Sequence, residues 1–209
     1  PVPTSAALSA IIHDGGQFLA GGQTGSLFSS GDGLIWEERF SGTTNWIYGL
    51  SQAGARTVAV GEGGLILTST DRVTWTRITS PGTATLRAVA PGAGRWVAVG
   101  DQGTILTSED GLDWRTQTSG SAQRLFSIAF GHSRWVAVGD GGTILISANA
   151  VAWSRVESNV TIPLFSVIAR KNGFTAGGDA GVIMTSTDGS GWSLQTTPGL
   201  GAVFGLASA

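Results

Sequence analysis

The chain has 209 residues, a formal net charge of −2, only 12% charged residues and 33 glycines. This balance excludes the positive field that a nucleic-acid-binding surface needs, and no apolar run approaches the roughly 18 residues of a membrane span. Cysteine is absent, which excludes disulfides, thiolate metal sites and cysteine nucleophiles.

One tryptophan recurs at a constant 39-residue interval along the chain, at Trp36, Trp75, Trp114, Trp153 and Trp192. The same interval links Gly22, Gly61, Gly100, Gly139 and Gly178, and it also links Ser30, Ser69, Ser108, Ser147 and Ser186. No insertion or deletion interrupts the pattern. Five repeats of one unit therefore predict a single repeat domain over residues 1–209.

Each unit contains four predicted β-strands in a row. In the third repeat they are LRAVAPG from Leu86, RWVAVG from Arg95, GTILTS from Gly103 and DWRTQT from Asp113. These runs are rich in β-branched and aromatic residues and are separated by turn formers, while the frequent glycines argue against helices. The middle two strands are almost continuously apolar, which is typical of a sheet covered on both faces.

A single four-stranded sheet cannot bury both of its faces, so successive sheets must stack. Radial stacking predicts an all-β fold, a five-bladed β-propeller with four-stranded antiparallel blades, and a straight β-solenoid is the rival architecture. The first-strand pattern occurs both in residues 7–12 and in residues 202–207, although only one copy can complete the first blade. We therefore expect end-strand closure of the ring. The spare copy is equally compatible with a chain that is a section of a longer array. The regularity of the repeats is compatible with recent duplication or with design.

An acidic turn motif ends at each repeated tryptophan. It reads SGDGLIW from Ser30, STDRVTW from Ser69, SEDGLDW from Ser108, SANAVAW from Ser147 and STDGSGW from Ser186. The carboxylate can accept hydrogen bonds from the N–H groups that follow it and close a tight turn, and the tryptophan then packs as an anchor. A structural role is therefore favoured for Asp32, Asp71, Asp110, Asn149 and Asp188, because a site rarely needs five near-identical copies.

This motif resembles the Asp-box, or BNR, repeat of sialidases and of many unrelated propellers. Together with the preceding VGDQGTIL, which starts at Val99, the unit is most similar to the repeats of photosystem II assembly factors. The resemblance implies a β-propeller whose Asp-box turns lie on the face opposite the ligand entrance. Functional residues are then expected in the turns between second and third strands and in the links between blades.

Those turns carry one polar residue per repeat, which a closed ring would arrange in a circle: Gln23, Glu62, Asp101, Asp140 and Asp179. The four carboxylates can gather a cation or a basic partner, or they can bond their own turn backbone. The links add four candidate binding residues, Trp46, Tyr48, Arg87 and Arg124. Aromatic faces beside arginines suit sugars, carboxylates or a protein partner, but packing with snorkelling arginines explains them equally well.

Phe126, Phe165 and Phe204 share the 39-residue register of Tyr48 and Arg87. They enter the predicted first strands, so we expect them to belong mostly to the core. The remaining candidates for chemistry are few: Tyr48 is the only tyrosine, and His13 and His132 fall in repeats that are not adjacent. No catalytic residue, metal site or cofactor is predicted.

These features predict a non-catalytic interaction or assembly scaffold with a protein partner. The alternative is a glycan-binding, lectin-like propeller with shallow sites between blades. A sialidase-like exo-glycosidase is a remote alternative, because it needs an arginine cluster and a tyrosine nucleophile and has only fold analogy behind it. We expect no nucleic-acid partner and no membrane insertion. The oligomeric state stays open, with a monomer as one option, and so does the location, with the bacterial periplasm or secretion as options if a leader was removed.

Overall fold

The computed structural model describes residues 5–195 and 201–207. It is all-β, with five antiparallel sheets of four strands, and the strand order in each sheet follows the order in the chain. This arrangement is consistent with a five-bladed β-propeller, and each sheet is called a blade below. None of the described residues forms a helix long and apolar enough to cross a membrane.

The first strands of blades 1 to 5 are β1 (Leu8–Asp14), β5 (Ile47–Ala53), β9 (Leu86–Gly92), β13 (Leu125–Gly131) and β17 (Leu164–Arg170). The second strands are β2 (Gln17–Gly22), β6 (Arg56–Gly61), β10 (Arg95–Gly100), β14 (Arg134–Gly139) and β18 (Gly173–Gly178). The third strands are β3 (Leu27–Ser30), β7 (Ile66–Ser69), β11 (Ile105–Ser108), β15 (Ile144–Ser147) and β19 (Ile183–Ser186). The fourth strands are β4 (Glu37–Arg39), β8 (Thr76–Arg77), β12 (Arg115–Gln117), β16 (Ser154–Val156) and β20 (Ser193–Gln195).

A short 3₁₀ turn joins the second strand of each blade to the third, at Gln23–Gly25, Glu62–Gly64, Asp101–Gly103, Asp140–Gly142 and Asp179–Gly181. Consecutive first strands contact one another from blade to blade, so they lie on the inner side of the stack. The fourth strands are mostly exposed and lie on its outer side.

The hydrophobic core lies between neighbouring blades. In β10 the side chains alternate between two neighbours, since Trp96 and Ala98 pack towards blade 2 while Val97 and Val99 pack towards blade 4. Every residue of β11 is likewise buried. Burial on both faces of the sheet is the physical reason why the second and third strands are apolar without alternation.

The two ends of the chain do not meet in one blade. β1 pairs with β2 in blade 1, so it already occupies the sheet edge that an end strand would need. Residues 201–207 run along blade 5 instead, where Val203 N donates to Gly178 O at 2.8 Å and Leu206 N donates to Ser166 Oγ at 3.2 Å. Within the described residues no strand of blade 1 pairs with one of blade 5, and the expected end-strand closure is not observed.

Candidate functional site

The 3₁₀ turns and the links between blades meet on one face, which we call the link face. In blades 2 to 5 the first N–H of the turn donates to a link carbonyl, as Asp101 N does to Thr85 O at 2.8 Å and Asp140 N does to Arg124 O at 2.9 Å. The glycine before each turn permits this approach, because a Cβ at Gly100 would lie 2.1 Å from Thr85 O. The turns are therefore held rigidly against the links.

A β-bulge near the start of each first strand re-aims one side chain. In β5 the pairing skips from Ile47 to Gly49, which leaves Tyr48 as the extra residue. The same shift leaves Arg87 unpaired in β9, Phe126 in β13 and Phe165 in β17. An extra residue of this kind points away from the regular pleat, and here all four side chains are half-buried rather than buried.

The first half of the site combines two rings with an ion pair. Trp46 and Tyr48 stack with their ring centroids 5.2 Å apart and an interplanar angle of 15°. The Cζ atom of Arg87 lies 4.6 Å from the Tyr48 centroid. Arg87 also donates from Nε and Nη2 to the two carboxylate oxygens of Asp101, at 2.9 and 3.1 Å. These hydrogen bonds raise the pKa of the Arg87 guanidinium above its ordinary value.

Arg124 continues the site into blade 4. Its Nε lies 3.2 Å from an oxygen of Asp101 and 4.0 Å from an oxygen of Asp140. Its Cζ lies 5.5 Å from the centroid of Phe126. The side chain remains 46% exposed, so a guanidinium that bridges two turns is still accessible to a partner.

Three phenylalanines extend the site across blade 5. The Phe126 and Phe165 centroids are 5.4 Å apart in an edge-to-face arrangement, and Phe165 stacks on Phe204 at 5.0 Å. The expectation that they belong mostly to the core is wrong, since Phe126 and Phe165 are half-buried and Phe204 is 73% exposed. Their shared register with Tyr48 and Arg87 is the sequence signal that could have identified them.

These contacts form one continuous row on the link face. We call it the ring-and-arginine row, and its members are Trp46, Tyr48, Arg87, Arg124, Phe126, Phe165 and Phe204. It includes all four of the candidate link residues. Chain positions many residues apart are thus brought together by the stacking of blades.

The polar residues of the 3₁₀ turns differ in their environments. Asp101 is paired with two arginines, whereas the one ion-pair contact of Asp140 within the described residues is the longer one to Arg124. Glu62 accepts from Trp46 N at 3.3 Å and Asp179 accepts from Ala180 N at 2.8 Å, while Gln23 is exposed. No group of three or more metal-ligating side chains among the described residues could hold a metal ion.

The acidic turns that end at the repeated tryptophans lie at the other end of the third strands from the 3₁₀ turns. A four-residue strand separates the two sets of turns by about 13 Å. There the Asp71 carboxylate accepts from Thr74 N at 2.7 Å and from Val73 N at 2.9 Å. These bonds lower its pKa from 3.8 to about 2. Asp32 and Asp110 accept the equivalent pairs of N–H groups and Asp188 accepts from the serine two residues on, and the pKa of each is lowered as well.

Asn149 makes the same two bonds in blade 4, through its side-chain oxygen to Val151 N and Ala152 N, both at 2.9 Å. A neutral amide thus replaces the carboxylate without changing the turn. The acidic turns also contact the hairpin between first and second strands of the preceding blade, as in the 3.0 Å bond from Arg95 Nη1 to Asn149 O. Their polar side chains are committed to local structure.

No protein-family model and no curated protein matches this chain. Solved structures are similar to it, however. A structure of YCF48 bound to D1 peptide has a TM-score of 0.72 and 21% sequence identity, and the match covers 92% of this chain and 68% of that chain. YCF48 from Cyanidioschyzon merolae has a TM-score of 0.57 and 18% identity, with 93% and 86% covered. At sequence identities this low, the structural likeness shows a common fold.

Proposed function

We propose that this chain is a non-catalytic interaction or assembly scaffold, and that the ring-and-arginine row is where it binds a protein partner. The observation that carries the proposal is the continuity of the row from Trp46 to Phe204, in which each side chain contacts the next and the Asp101 carboxylate joins Arg87 to Arg124. Aromatic and arginine side chains that keep part of their surface exposed are those that dominate binding at protein interfaces.

The acidic turns support the scaffold part of the proposal. The bonds of Asp71 and of Asn149 to the two following N–H groups fit an Asp-box blade, in which the polar side chain holds a turn. Because these groups serve the fold, the link face is left to carry binding. A rigid platform of this kind binds without a large entropic cost of ordering.

The likeness to YCF48, a photosystem II assembly factor, favours a peptide as the bound part of the partner, because one of its structures holds a D1 peptide. A peptide in extended conformation would follow the row from blade to blade. Its side chains would then meet rings at both ends and a half-exposed guanidinium in the middle. We therefore expect recognition of a chain segment rather than of a folded surface.

The test is binding of the purified chain to an array of short random peptides and to an array of glycans. We expect a subset of peptides to bind saturably, and we expect Trp46→Ala combined with Arg124→Ala to weaken that binding about tenfold or more. Leu34→Ala is the matched control, since Leu34 is 74% exposed on the acidic-turn side.

Peptide binding that is unchanged in the double variant would contradict the assignment of the row. Saturable glycan binding that Trp46→Ala abolishes would instead support the lectin alternative. Melting temperatures of all variants are measured alongside, so that a loss of binding is not confused with a loss of fold.

A further inference from the structure

The link face already contains two examples of a guanidinium held between an aromatic ring and a carboxylate. Arg87 lies over Tyr48 and is bound by Asp101 in a bidentate ion pair. Arg124 lies beside Phe126, and its Nε is 3.2 Å from Asp101. A ring face and a carboxylate together bind a cation more strongly than either alone. The repeated blade geometry thus builds guanidinium-binding positions.

The position of Arg124 is occupied by Pro163 in the next blade. The backbone there is equivalent, since Pro163 O accepts from Asp179 N at 2.9 Å as Arg124 O accepts from Asp140 N. The first strand of blade 5 also lies against the turn Asp140–Gly142, just as the first strand of blade 4 lies against the turn before it. Phe165 supplies the ring and Asp140 the carboxylate, but proline supplies no cation.

The same combination of a ring and a carboxylate recurs 39 residues later in the chain. Ala202 stands at the link position, Phe204 supplies a ring that is 73% exposed, and Asp179 supplies the carboxylate. Within the described residues the Asp179 carboxylate has no ion pair and accepts a hydrogen bond from Ala180 N. Two successive repeats therefore present a ring and a carboxylate with no arginine at the link position.

The charges on the link face reinforce this difference between its two halves. Asp101 is neutralised by Arg87 and Arg124, so an acidic segment would have to displace an existing ion pair there. Among the residues that the structure describes, Asp140 has one ion-pair contact, the 4.0 Å one to Arg124, and Asp179 adds a second carboxylate beside the phenylalanines. The phenylalanine half thus carries excess negative charge next to aromatic faces, which favours a cation.

We infer that Phe165 with Asp140, and Phe204 with Asp179, bind basic side chains of the protein partner, arginine in particular. This inference rests on the proposed function and adds the chemistry of the partner, a basic segment in extended conformation. The Phe165 and Phe204 centroids are 5.0 Å apart. Side chains on one face of an extended segment are at closest two residues, or roughly 7 Å, apart, so arginines two residues apart are the nearest spacing that such a segment offers to the two positions.

The probe is an acetylated and amidated peptide of sequence Gly-Arg-Thr-Arg-Gly, titrated calorimetrically into the full chain at low salt. Versions with glutamine or glutamate in place of both arginines are compared with it. We expect the arginine peptide to bind about tenfold more tightly than the glutamine peptide, and the glutamate peptide to bind most weakly.

Two variants should weaken binding of the arginine peptide by about three- to tenfold each, Asp140→Asn by removing the carboxylate and Phe165→Leu by removing the ring. Glu109→Gln is the matched control, because it removes one exposed negative charge on the acidic-turn side. Pro163→Arg should also weaken binding, since it would place the chain's own guanidinium between Phe165 and Asp140. This variant keeps the Phe165 ring and the Asp140 carboxylate, so a loss of binding would mean that the site is filled and not that it is damaged.

Equal binding of the arginine and glutamate peptides would overturn the inference while leaving peptide binding as a function intact. Wild-type affinity in both Asp140→Asn and Pro163→Arg would also overturn it. If no peptide of any charge binds, either here or on the random array, the proposed function fails as well. Unchanged binding in Glu109→Gln, with losses in the other variants, supports the assignment.

Discussion

The glycine that ends each second strand is required by contact, not by an unusual backbone angle. At Gly100 the φ angle is −169°, which any residue can adopt. A side chain nevertheless does not fit there unless the backbone moves, because its Cβ would lie 2.1 Å from Thr85 O and 2.9 Å from Leu86 Cα. The close approach lets the link carbonyl accept the N–H of Asp101 and so orients the carboxylate that binds Arg87 and Arg124.

We expect Gly100→Ala to lower the free energy of unfolding by roughly 3 kcal/mol, because neighbouring backbone must move. Urea denaturation measures the change. Gly82→Ala is the control, since an added Cβ at Gly82 meets nothing within 4 Å and should change stability by about 1 kcal/mol or less. Equal effects of the two substitutions would contradict the contact as the cause.

Single residues of the site differed in how well they could be predicted. Trp46 and Arg124 stood out because a large aromatic and a charge interrupt an otherwise small or apolar register. Phe126 and Phe165 did not, because a phenylalanine in a predicted strand is normally a core residue. The β-bulge that moves them to the link face is a feature of backbone pairing, and it leaves no mark in an apolar pattern.

The acidic turns couple the stability of the blades to pH. The pKa of Asp71 is lowered in the folded chain to about 2, chiefly by the hydrogen bonds from Thr74 N and Val73 N. A lowered folded-state pKa stabilises the fold above the ordinary value of 3.8, and this stabilisation is lost as the pH falls towards 2. Asp32, Asp110 and Asp188 act in the same direction.

We therefore expect the wild-type chain to lose stability steeply below about pH 4, and Asp71→Asn to make that loss shallower because one titrating group is removed. Asn149→Asp is the converse variant, since it places a carboxylate where the same two N–H groups already donate. It should make the loss steeper. Urea midpoints measured from neutral pH down to about pH 2 would reveal both changes, and parallel curves for all three proteins would refute the assignment.

Arg72 joins blade 2 to blade 1 from an unusual backbone position. It has a φ of 60°, yet its side chain is almost buried and Nη1 donates to Asp14 O at 3.0 Å and to Gln17 O at 3.3 Å. We expect Arg72→Ala to cost about 2 kcal/mol, because two carbonyls lose their donor. Arg72→Gly should cost less than Arg72→Ala, since glycine adopts a positive φ without strain. Thermal and urea unfolding test this order, and an alanine variant as stable as wild type would contradict it.

Strand boundaries were predictable where burial alone determines them. The expected run RWVAVG coincides with β10 (Arg95–Gly100), because a strand covered on both faces is apolar throughout. The fourth strand was expected from Asp113 but starts at Arg115. Asp113 N is instead bound by the Asp110 carboxylate, so this residue belongs to the turn. Side-chain capping, which hydropathy does not register, moved the boundary.

The ring-and-arginine row exists only at the level of the whole stack. Trp46 and Tyr48 come from the second blade and its link, Arg87 from the third, and Phe165 from the fifth, so no single repeat contains it. A repeat pattern predicts that such positions recur in space but not which of them touch. The repeat pattern also did not determine which end of the chain supplies the first strand of blade 1, because both ends carry a first-strand pattern. In the structure β1 supplies that strand.

The exposed face of blade 1 offers a direct measure of whether anything covers it in solution. Ile11 and Leu50 occupy the same register of β1 and β5, but Ile11 is 63% exposed whereas Leu50 is 8% exposed because blade 1 packs on it. We expect Leu50→Ala to cost about 2–4 kcal/mol in urea denaturation and Ile11→Ala to cost about 1 kcal/mol or less. If an end strand or a neighbouring blade closed the ring in solution, Ile11 would be buried as Leu50 is, and the two substitutions would cost the same.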